Sequence, residues 1–113
     1  MAKYLVAIHR ADDFDASIEY DESKGREIDE LNDEMVAAGV RVFVGGLQPV
    51  HTAVSLRRQA DGGFVEVRGP YLSTREHVEG FWVLDVADLD EALAWGRKAA
   101  VACRASVEVR PFH

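Results

Sequence analysis

"HVEGFWVLDV", His77 to Val86, is apolar at successive positions through its centre, so in a strand Phe81 and Val83 point to one side while Trp82 and Leu84 point to the other. A strand with one face in water would alternate apolar and polar residues; this one needs cover on both faces. It therefore reads as a central strand. "KYLVAIH", Lys3 to His9, has the same character and is bounded by the polar "RADDFD".

Between these two runs the period changes. Ile28, Leu31 and Met35, with Val36 beside them, recur at helical spacing, and Gly39 follows as a terminator. Gly25 weakens the first part, so the firm helix is predicted over Arg26 to Ala38. Its opposite face carries Asp29, Glu30, Asp33 and Glu34 and belongs in water. "VRVFV", Val40 to Val44, is a strand that ends at "GGLQP". "AVSLRRQ" and "FVEVR" flank "ADGG" and predict a β-hairpin.

"DLDEALAWGRKAA" opens with Asp88 and places Glu91 three residues on, a carboxylate form of the capping-box spacing. Leu89, Ala92, Leu93, Gly96 and Ala100 form its expected packing stripe. "ASVEVR" then alternates cleanly until Pro111 and predicts a strand with one buried face.

With the hairpin set aside as an insertion, the order is strand, helix, strand, strand, helix, strand. That is the α+β, ferredoxin-like (split βαβ) arrangement, over a single domain spanning residues 1–113. The first and third core strands are expected to be its central, parallel pair. Both helices cover one sheet face, so the other must be covered by the hairpin or by a second subunit, and a homodimer is expected.

Composition narrows the partners. A net charge of −7 argues against nucleic acid, whose binding is driven by basic side chains. No apolar run approaches the roughly 18 residues of a membrane span, and "MAKYLVAIHRADDFD" does not read as a signal peptide, so the cytoplasm is expected. Cys103 is the only cysteine; no disulfide can form within the chain, and the thiol reads as a core residue.

His9, His51 and His77 are the candidate acid/base groups, with Glu76 as a carboxylate beside His77. The corner after Gly69-Pro70 supplies the candidate ligand-binding residues Arg68, Tyr71 and Arg75, with Trp82 as an apolar wall or core residue and Gln48 next to His51's loop. This mixture suits a small anionic or partly aromatic organic ligand, since arginine can hold a carboxylate through two hydrogen bonds. His113 is terminal. No histidine pair has metal-ligand spacing, and the "GG" pairs at 45–46 and 62–63 lack nucleotide-binding spacing. No metal or cofactor is expected. An acid/base enzyme of lyase-like or hydrolytic type, a non-catalytic binding or regulatory module, and an oxygenase-like activity by fold alone all stay open.

Four stretches carry a family resemblance: "KYLVAI", "AAGVRVFVGGLQP" at 37–49, "RGPYLSTREHVEGFWVLDVADLDEALAW" at 68–95 and "SVEVRPF" at 106–112. In this order and spacing the chain resembles the YCII-related proteins, particularly the branch named for a DGPF motif. The resemblance implies a dimeric ferredoxin-like α+β barrel. One branch looks like it contains a dehydrochlorinase acting on a chlorinated hydroxyquinol, and some members accompany sigma factors. A His-Asp pair has been proposed for relatives, but "SIEYDESKGREIDELNDE" contains no histidine, and Arg68-Gly69-Pro70-Tyr71 stands where that branch has Asp-Gly-Pro-Phe.

Overall fold

The structure, a computed structural model, describes residues 1–11 and 22–113. In chain order the elements are β1 (Ala2–Ala11), α1 (Glu22–Ala37), β2 (Arg41–Gly46), a 3₁₀ turn (Val50–Thr52), β3 (Val54–Arg58), β4 (Phe64–Arg68), β5 (Glu76–Val86), α2 (Leu89–Cys103) and β6 (Ser106–Pro111). The main sheet runs β2-β5-β1-β6, and β3-β4 form a sheet of their own. This is the ferredoxin-like α+β fold with an inserted hairpin.

β1 and β5 are central, but they pair antiparallel rather than parallel. The reason is topological. The crossover through α1 makes β2 run the same way as β1, and the return through the hairpin reverses β5, which then slots between them. Every pairing in the main sheet is therefore antiparallel.

The core lies between the sheet and the helices. Tyr4, Val6 and Ile8 of β1 and Trp82, Leu84 and Val86 of β5 meet Leu31 and Met35 of α1 and Ala92, Ala99, Ala102 and Cys103 of α2. The α1 stripe is Ile28, Leu31 and Met35, while Val36 faces outward. Those anchors carry the helix through Gly25 back to Glu22, one turn beyond the expected start. On α2 the buried set is shifted toward Gly96, Ala99, Ala102 and Cys103, with Leu89 exposed and Leu93 and Ala100 half-buried. Small residues there let the helix sit close to the sheet.

Asp88 caps α2: its Oδ1 accepts from Glu91 N at 2.9 Å, and Glu91 Oε2 accepts from Ala87 N at 2.7 Å. Gly80 is required by close approach. A Cβ there would lie 2.8 Å from Gly45 O and 3.2 Å from Gly46 Cα, both backbone atoms of β2.

The second sheet face is formed by Leu5, Ala7, Phe43, Phe81 and Val83, which lie opposite the core residues along the same strands. The hairpin does not cover it. Phe43 remains 54% exposed, and the molecule measures 49 × 38 × 17 Å, a thickness of two layers. Its radius of gyration is 16.1 Å, against about 13 Å for a compact 100-residue domain. The hairpin projects as an arm.

Candidate functional site

The arm leaves and rejoins the sheet at one end, where the last residues of β1 and β2 meet the first of β5. Leu47 N donates to Glu79 O at 2.6 Å on the outgoing side. On the return, Gly69 adopts φ +125°, a conformation that favours glycine. Both of its backbone polar groups are held: Gly69 N donates to Ala53 O at 2.7 Å, and the buried Ser55 hydroxyl donates to Gly69 O at 2.8 Å. Arg57 then stacks on the Tyr71 ring at 4.3 Å and donates to its carbonyl at 2.5 Å. The Gly69-Pro70 corner is thus clamped against β3.

This clamp builds a cleft of about 730 Å³ between the corner and the sheet end, lined by Ala11, Pro70, Ser73, Thr74, Arg75, Glu76 and His77. His77 is half-buried. Its Nε2 lies 3.1 Å from Leu72 O and 3.2 Å from Thr74 Oγ1. The Thr74 hydroxyl spends its proton on Glu76 O at 2.8 Å. Both neighbours of Nε2 are therefore acceptors, which places a ring proton on Nε2. Arg75 makes no ion pair among the described residues. An imidazole, a carboxylate and a guanidinium with no ion pair among the described residues thus share one concave surface.

Of the residues expected from sequence, His77, Glu76 and Arg75 come together here. His9 lies at the same sheet end, half-buried and paired with Val78 and Ser106, and His51 sits exposed on the 3₁₀ turn; neither lines the cleft. Gln48 is exposed in the preceding loop. Arg68 is on the arm beside Glu66, and Tyr71 is occupied by Arg57. Trp82 is placed in the core, 3% exposed, with Nε1 donating to Asn32 Oδ1 at 3.0 Å; its even position on β5 turns it to the helices, so it walls no cleft. Sequence reasoning missed Ser73 and Thr74, although two hydroxyls directly before a charged triplet were a visible signal. The segment at 17–34, where the resemblance would put a dyad histidine, lies partly, over residues 17–21, outside the described residues.

A second charged cluster sits across β1 from the cleft. Arg10 pairs with Glu79 and donates to Cys103 O and Arg104 O, capping the carbonyl end of α2. Burial pushes the Cys103 thiol above its usual range, against the opposing pull of Arg10 and Lys24. Burial, with Arg10, holds Lys24 below the usual lysine range. A thiol whose folded pKa is raised keeps its proton in the native state after the unfolded chain has lost it. Cys103 therefore supports the fold below the unfolded thiol pKa and loses that contribution as pH rises above it. Urea midpoints should fall between neutral pH and pH 10 more steeply for the wild type than for Cys103→Ala, and Cys103 should resist alkylation at pH 8 until the chain unfolds.

Among the described residues, no three His, Cys, Asp or Glu side chains converge as a metal site would require. No described helix is long and apolar enough to cross a membrane.

Comparison with known proteins gives two findings. Residues 3–113 match the family described as YCII-related domain. The chain is also 37% identical over 98 residues to an uncharacterized protein of Rhizobium meliloti (strain 1021), covering 85% of this chain and 78% of that one.

Proposed function

The chain belongs to the YCII-related family, and within it we propose that this protein is an acid/base enzyme for a small organic anion, working as a homodimer. The observation that carries the reading is the cleft, where His77, Glu76 and Arg75 converge beneath the clamped corner. In this scheme Arg75 binds the substrate's anionic group, the hydroxyl of Ser73 orients it, and the His77 imidazole, positioned by Leu72 O and Thr74 Oγ1, exchanges the proton. Lyase-like elimination or hydrolysis both need this proton step. The His-Asp pair proposed for relatives has no part in it.

Dimerisation through the open sheet face gives the α+β barrel. The support is the apolar set Leu5, Ala7, Phe43, Phe81 and Val83, with Phe43 and Phe81 rings 5.8 Å apart and Phe43 54% exposed. We place the chain beside the DGPF-motif branch, with "RGPY" at 68–71 in the motif's position. The cytoplasm is the proposed setting, in keeping with a buried lone thiol.

A second reading, a non-catalytic ligand-binding or regulatory module, draws on the same histidine. A ring held by a backbone carbonyl and a threonine is also how a structural histidine is fixed. The two readings separate in a screen of small carboxylates, aromatic and aliphatic, followed by thermal shift and turnover. Arg75→Ala should weaken binding about tenfold, and His77→Ala should cut turnover by at least about 100-fold while binding stays within a few-fold. Binding without turnover in the wild type supports the module. Binding indifferent to both substitutions sinks the cleft as the site.

A further inference from the structure

The arm carries a face of mixed apolar and charged side chains that its own corner does not cover. Pairing of β3 with β4 puts Val54, Leu56 and Arg58 on one side with Phe64, Glu66 and Arg68, and Ser55 and Arg57 on the other with Val65 and Val67. The corner folds against the second side, through Ser55 to Gly69 and Arg57 to Tyr71. On the first side Leu56 and Phe64 are 61% and 64% exposed. A two-stranded hairpin with such a face is at best marginally stable in water without something packed on it.

Charge identifies the occupant. The arm, residues 54–68, carries Arg57, Arg58 and Arg68 against Asp61 and Glu66, in a chain whose net charge is −7. Two copies repel overall, and the arm is where that repulsion reverses. Arg58, beside Phe64 on the uncovered face, makes no ion pair among the described residues. Its counterpart is on the main sheet. Asp85 is half-buried opposite Lys3 on the open face, and its Oδ1 is buried with no hydrogen-bond partner among the described residues. A desolvated carboxylate oxygen without a donor is costly to keep.

The positions fit a two-fold contact. The arm leaves the sheet near Glu79, whereas Asp85 lies at the other end of β5, about 30 Å from Glu76 along the strand. When two such sheets stack face to face about an axis across their strands, the arm end of one meets the Asp85 end of the other. We propose that the arm of each copy clasps a second copy of this chain at the Lys3–Asp85 end of its open sheet face, Arg58 there donating to Asp85. This rests on the homodimer reading and adds to it a specific interface.

The test is sedimentation of the full chain as wild type, Arg58→Asp, Asp85→Arg and the double variant, with backbone amide exchange of the wild type at low and high protein concentration. The expected result is a wild-type dimer, a dissociation constant at least tenfold weaker in each single variant, recovery in the double variant, and amides of 54–58 and 64–68 that slow as concentration rises. A wild-type dimer indifferent to the charge swap, with arm amides equally fast at both concentrations, overturns the clasp and leaves the sheet contact standing. A wild-type monomer overturns both. Should Asp85→Arg fail to fold, the concentration dependence of arm exchange decides alone.

Discussion

Leu84→Ala is expected to lower the free energy of unfolding by about 3 kcal/mol and the melting temperature by about 12 °C. Leu84 is 0% exposed and sits at the middle of the core, on the central strand, opposite Tyr4 and level with the α1 and α2 side chains. Truncation removes three carbon atoms' worth of buried contact. It also leaves a hole that the surroundings cannot easily fill, because β5 is fixed from both sides by β1 and β2. Val101→Ala, at an exposed helix position, serves as the contrast and should change stability by less than about 0.5 kcal/mol. Urea unfolding of both variants checks the difference.

If the proposed sheet-to-sheet dimer forms, Phe81→Asp is expected to sediment as a monomer at micromolar concentration where the wild type sediments as a dimer, with the circular dichroism of the fold retained. Phe81 lies on the face of β5 away from the helices, so the aspartate can be hydrated in the monomer and the core is not touched. In a sheet-to-sheet dimer the same aspartate would enter the apolar centre formed with Phe43, Leu5 and Val83, where an unpaired carboxylate costs several kcal/mol. The loss should therefore exceed 100-fold in the dimer's dissociation constant. A variant that stays dimeric would remove the open face as the contact.

The architecture was legible where burial forces a pattern. β1 and β5 show near-continuous apolar runs because each packs on the helices with one face and leaves a largely apolar second face, and the Asp88–Glu91 spacing announces a cap that forms. Strand direction was not carried by periodicity. It follows from how crossovers and hairpins reverse the chain, and the expected parallel pair was a topological error rather than a misread pattern. The reach of α1 to Glu22 was hidden for a different reason: tertiary burial of Ile28, Leu31 and Met35 outweighs the propensity cost of Gly25.

The site was legible as a neighbourhood and not as a constellation. "STREH" was recognisable as a charged bend, but its folding around a clamped corner depends on Ser55 and Arg57, fourteen residues before the Gly69 and Tyr71 that they hold. No local pattern connects them. Arg68 and Tyr71 serve the arm and its stacking rather than the cleft wall. Trp82 shows the limit in the opposite direction, since an aromatic beside a candidate site carries no sign of which face of its strand it takes until the register is known.

The most direct measurement is a nitrogen-15 NMR titration of the labelled protein with small organic carboxylates drawn from the thermal-shift screen. The expected result is saturable amide shifts confined to Ala11 and Pro70's neighbours through His77, lost in Arg75→Ala. Shifts that cluster instead on the groove between α1 and α2, lined by Glu27, Leu31, Arg97 and Val101, would contradict the cleft as the functional site.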